Sequence, residues 1–62
     1  MKMDESKITL YEYLVEQGIE EVVAGEAEVL YEAKGIKKAL NATTDEVVQS
    51  YIKMHIQDWE GM

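Results

Sequence analysis

The 62-residue chain contains no cysteine, no proline and no arginine, and it has a single histidine and four glycines. Without cysteine there is neither a disulfide framework nor a thiolate zinc site, and one histidine excludes most histidine-based metal sites. Without proline, and with glycine confined to Gly18, Gly25, Gly35 and Gly61, little interrupts a chain rich in Glu, Lys, Ala and Leu. Composition alone points to helix. No apolar run approaches the roughly 18 residues that a membrane span needs. The opening Met1-Lys2-Met3-Asp4-Glu5-Ser6 has no apolar stretch behind it to act as a signal peptide, so a soluble, cytoplasmic protein is expected.

A chain this short buries only about 60% of the surface its unfolded form exposes, so one helical domain over 1–62 is expected, with 1–7 flexible. A core of that size supplies about 3–5 kcal/mol, and no staple is available, which makes oligomerisation or partner binding a reasonable completion of the fold. Net charge is −7, unevenly placed: residues 1–32 hold nine acidic side chains against Lys2 and Lys7, whereas residues 33–62 balance four acids with Lys34, Lys37, Lys38 and Lys53. A one-signed field in the first half steers encounters with opposite charge, and it also simply solubilises.

Thr9-Leu10-Tyr11-Glu12 fits a capping box, with Ile8 and Tyr13 as its hydrophobic staple, so a helix is expected from Leu10. It should stop at Gly18, after which Ile19 falls where a Schellman turn wants an apolar contact with Leu14. Ile19 to Lys34 has apolar residues at 19, 22, 23, 27, 30 and 33, a one-faced spacing that predicts a second helix. The alternative is a hairpin around Gly25-Glu26. Gly35 supplies a stop or sharp bend, Ile36 to Leu40 a short helix, and Asn41-Ala42 a turn. Thr43-Thr44-Asp45-Glu46 repeats the capping-box pattern with Thr43 as N-cap, predicting a last helix from about Thr44 to Asp58 or Glu60. On it, Val47, Val48, Tyr51, Ile52, His55, Ile56 and Trp59 sweep about half the circumference, wide for one buried face. The expected fold is all-α, with three to four helices.

Residues 36–52 resemble the helix-turn-helix of small bacterial and phage regulators. Ala39 and Leu40 stand near the end of a first helix, Thr43 is a hydroxyl N-cap, and Val47 is the apolar residue four positions on. The resemblance implies a helix-turn-helix-like pair over roughly 33–41 and 44–58, and a DNA-binding regulator dimerised through its last helix. Thr44, Asp45, Val48, Gln49 and Lys53 would then face the major groove, with Lys34, Lys37 and Lys38 near phosphates. Asp45 and Glu46 stand where such proteins usually place basic or small polar residues. Arginine, which makes the commonest specific contact to guanine, is absent.

The better-supported expectation is a non-enzymatic, protein-binding regulator or inhibitor with two surfaces. One is acidic: Glu12, Glu16, Glu20, Glu21 and Glu28, the first three recurring every fourth residue although Gly18 interrupts them. In charge alone this is similar to small phage inhibitors that present spaced carboxylates to nucleic-acid-binding proteins, and it implies a partner with a basic surface. The other is apolar: Tyr51, Ile52, His55, Ile56 and Trp59, available to a partner or a homodimer, or else core. In the DNA-binding alternative the working residues are Lys37, Lys38, Thr44, Gln49 and Lys53. No serine elbow, relay around His55, calcium loop or glycine-rich phosphate loop is present, so no cofactor, metal or catalysis is expected.

Overall fold

Thr9 opens the first helix as expected: in a computed structural model describing residues 8–61, its hydroxyl oxygen accepts from the Glu12 amide at 3.1 Å. The expected flexibility of 1–7 lies outside the described residues. Helix α1 spans Leu10–Glu16, α2 Glu21–Lys34, α3 Ile36–Ala39, a 3₁₀ turn Leu40–Ala42, and α4 Glu46–Glu60. The all-α expectation holds, and no strand occurs among the described residues.

α1 closes in a Schellman turn. The Ile19 amide donates to the Leu14 carbonyl and the Gly18 amide to that of Val15, both at 3.0 Å. Gly18 takes φ +98° to allow it, and Ile19 packs back against the core. α2 runs unbroken through Gly25, so the hairpin does not form. Gly35, at φ 95° and ψ −178°, occupies backbone space essentially closed to other residues. Its amide ends α2 on the Tyr31 carbonyl at 2.9 Å while its own carbonyl accepts from Ala39 at 3.1 Å, so one residue separates α2 from α3.

Two sequence expectations are corrected. On α2 the buried residues are Ala24 and Ala27, with Val23, Leu30 and Tyr31 beside them, while Val22 is 81% exposed and Ala33 is exposed too. The small side chains let α1 come close, with the Tyr11 ring over Gly25, and the helix rotates toward Ala24. At α4 the N-cap is Asp45 and not Thr43. Asp45 Oδ1 accepts from Val47 at 2.9 Å and from Val48 at 3.4 Å, whereas the Thr43 hydroxyl oxygen accepts only from the Asp45 amide at 3.2 Å. A carboxylate at the positive end of a helix adds charge stabilisation to the cap bond, which a threonine lacks.

That shift moves the helix-turn-helix positions. With the cap at Asp45, Val47 lies in the first turn and is 64% exposed, and Val48 packs inward in its place. The leading helix of the pair is a single α-turn extended by the 3₁₀ turn, not the longer helix over 33–41. α1 packs on both α2 and α4, and α3 with the 3₁₀ turn lies against α2 and α4. Leu10, Leu14, Ile52 and Ile56 are the largest fully buried side chains, each contributing about 1.5–3 kcal/mol on burial.

Candidate partner-binding surface

The acidic residues are set by where the helices stop. Glu12 and Glu16 are one turn apart on α1 and exposed, but α1 ends at Glu16, so Glu20 does not continue their ridge. The turn at Gly18 carries it round to the N-cap position of α2, where its side chain makes no capping bond. Glu21 begins α2, exposed, where the helix dipole favours a negative charge. Glu28 is the exception among the five. It is half-buried and its Oε2 accepts from the Tyr11 amide at 3.3 Å, satisfying a donor in the first turn of α1 that the helix itself cannot. Its role is to pin α2 to α1. Glu26 and Glu32 are exposed and extend the acidic surface instead.

The wide apolar sweep of α4 proves to be two faces. Val48, Ile52, Ile56 and Trp59 turn inward, and Ile52 and Ile56 have no exposed surface, so neither offers contact to a partner or a second copy. Ile52 and Ile56 share the buried cluster with Leu10 and Leu14 of α1. Val47, Tyr51 and Met54 lie about 100° or more around the helix from Ile52 and are 64%, 51% and 46% exposed. Trp59 is half-buried; its indole Nε1 donates to the Ile8 carbonyl at 2.9 Å, and its ring meets Tyr31 edge-on at 5.9 Å. It closes the end of α4 onto the start of α1. The Tyr31 hydroxyl donates to the Glu60 carboxylate, and this hydrogen bond, burial and the nearby negative charge together raise its pKa above the usual 10.0.

His55 joins the two faces. Its ring stacks on Tyr51 at 6.3 Å and meets Tyr13 edge-on at 6.2 Å, and its buried Nδ1 has no hydrogen-bond partner among the described residues. Both Tyr51 and His55 line a cleft of about 500 Å³ between the α1–α2 turn and the start of α4. Ile19, Val23 and Val48 form its apolar wall, and Glu20 and Asp45 bring carboxylates to it, with no lysine in the lining. Of the residues expected at a partner surface, the fold therefore gathers Glu20, Tyr51 and His55 in one place. The wall residues and Asp45 were not anticipated there. Asp45 could have been found as a competing cap two residues after Thr43, but the approach of the α1–α2 turn to α4 has no local signal.

The residues of the DNA-binding alternative divide similarly. Lys37, Lys38, Thr44 and Lys53 are exposed. Gln49 is half-buried, and its Nε2 donates to the Leu40 carbonyl at 3.0 Å and to the Thr43 carbonyl at 2.8 Å. Both protons of its amide are used in closing the turn before α4, so it has no donor left for a base edge. No family model, no curated protein and no solved structure matches the chain. Among the described residues, no group of three or more His, Cys, Asp or Glu could hold a metal ion, and no helix is long and apolar enough to cross a membrane.

Proposed function

We propose that this is a non-enzymatic protein-binding regulator or inhibitor, whose acidic first half approaches a basic surface on its target and occludes it. The supporting observation is the exposure of Glu12, Glu16, Glu20, Glu21, Glu26 and Glu32 across α1, α2 and their turn, against Lys34 alone of opposite sign between residues 8 and 34. An excess of exposed charge of one sign on a small domain raises the rate of encounter with a cationic surface, and that gain is screened over a Debye length of about 8–10 Å at ordinary salt. Residence would come from apolar contact, for which Val47, Tyr51 and Met54 are exposed on α4.

The test is the association rate with a target captured from the native host, measured across a salt series for the wild type and for a Glu12→Lys, Glu16→Lys, Glu20→Lys variant. The wild-type rate should fall steeply with salt, and the variant should associate at least about tenfold more slowly with an unchanged helical spectrum. Equal rates for the two proteins, insensitive to salt, would refute the steering mechanism. A DNA-binding regulator, the competing function, should retard duplex DNA at about 50 mM salt, where phosphate contacts are strongest. No retardation is expected here, given an acidic surface, no arginine and a committed Gln49.

A further inference from the structure

We infer that the cleft beside Tyr51 is the docking site for a segment of the target presenting an apolar side chain next to a lysine or arginine. The inference rests on the protein-binding function proposed above and names the chemistry of its ligand. At about 500 Å³ the cleft is within the range of ligand-sized pockets, and its apolar wall suits one aliphatic side chain. The carboxylates select what lies beside that side chain. Glu20 makes no helix cap, and Asp45 uses Oδ1 to cap α4 while Oδ2 has no partner among the described residues, so both can accept from a cation at the mouth. An acidic neighbour on the ligand would be repelled by both.

Tyr51 is the hinge of the site. Half of it is exposed, its ring lies near-parallel to that of His55 with centroids 6.3 Å apart, and it leads from the cleft to Val47 and Met54 on the outer face of α4. A pre-positioned tyrosine loses little side-chain entropy on binding and offers its face to a guanidinium. A second copy of this chain fits less well. It carries the same −7 and would bring glutamates toward Glu20 and Asp45.

The experiment is a titration of the full chain, followed by amide NMR, with three terminally blocked peptides: Gly-Leu-Arg-Gly-Gly, Gly-Leu-Glu-Gly-Gly and Gly-Ala-Arg-Gly-Gly. The Leu-Arg peptide should move the resonances of Ile19, Val23, Val48, Tyr51 and His55 and bind best. Glu20→Gln with Asp45→Asn, which keeps an amide able to cap α4, should weaken it roughly five- to tenfold. Tyr51→Ala, at an exposed site, should abolish detectable binding. The inference is overturned if the Leu-Arg peptide leaves those five resonances unmoved, or if Leu-Glu binds equally well. It is likewise overturned if Ala-Arg binds equally well, or if concentration-dependent shifts without peptide show the cleft filled by a second copy. Loss of peptide binding alongside salt-dependent target association removes the cleft assignment alone. Peptide binding alongside salt-insensitive target association removes the steering mechanism alone.

Discussion

The indole of Trp59 donates to the backbone carbonyl of Ile8 at 2.9 Å, tying together residues 51 apart in sequence. Trp59→Phe keeps an aromatic ring against Tyr31 but removes the donor, leaving a part-buried carbonyl unmet. The expected loss is about 1 kcal/mol, which in so small a domain lowers the melting temperature by about 4–8 °C. A thermal melt followed by circular dichroism reads this directly. An unchanged midpoint would mean that water replaces the indole at no cost.

Gln49 should be nearly irreplaceable for the turn before α4. Gln49→Leu leaves the Leu40 and Thr43 carbonyls without their shared donor and should cost about 1–3 kcal/mol. Gln49→Glu should cost more at neutral pH, because an acceptor-only carboxylate would face the two carbonyls. Denaturant titration of both variants gives the order. Equal stability of the Glu variant and the wild type would show that the amide does not hold the turn.

Where a structural signal was carried by neighbouring residues, it was legible in the sequence. Thr9 with Glu12, and Gly18 with Ile19, mark both ends of α1 because capping and Schellman bonds span only a few residues. The start of α4 was ambiguous for the same reason: Thr43 and Asp45 both present cap-competent oxygens, and the choice between them moves Val47 from core to surface. The buried face of α2 was misjudged because alanine carries little hydrophobic signal, although Ala24 and Ala27 decide how near α1 can come. On α4, periodicity registered every apolar residue alike and could not divide Ile52 and Ile56 from Val47 and Tyr51. The cleft was illegible altogether, since it exists only where the turn after α1 meets a helix some 25 to 35 residues further on.

Tyr31 should ionise above the ordinary tyrosine value of 10.0. Its raised pKa comes first from its hydrogen bond to Glu60, then from burial, then from that carboxylate's charge. A folded-state value above the unfolded one stabilises the fold fully below pH 10.0, and this contribution is lost as pH rises through the folded value. Tyrosinate absorbance across an alkaline titration should therefore lose a step above pH 10.0 in Tyr31→Phe and show that step at lower pH in Glu60→Gln. A wild-type curve that superimposes on both would contradict the hydrogen bond.

Two glycine replacements should move stability in opposite directions. At Gly18, φ +98° is unfavourable for any side chain, so although a Cβ there would meet nothing within 4 Å, Gly18→Ala should destabilise by about 1 kcal/mol or more. At Gly25 the backbone is helical, and a Cβ would rest 3.8 Å from Tyr11 Cδ1 and Cε1, an ordinary packing distance. Alanine there gains helix propensity without a clash and should stabilise by about 0.5–1 kcal/mol. The pair isolates backbone conformation from space: the roomier site is the one that should not tolerate the methyl. Chemical denaturation of the two single variants measures the contrast. If Gly25→Ala proved the more damaging, α2 would have to pack more tightly on Tyr11 than those distances allow.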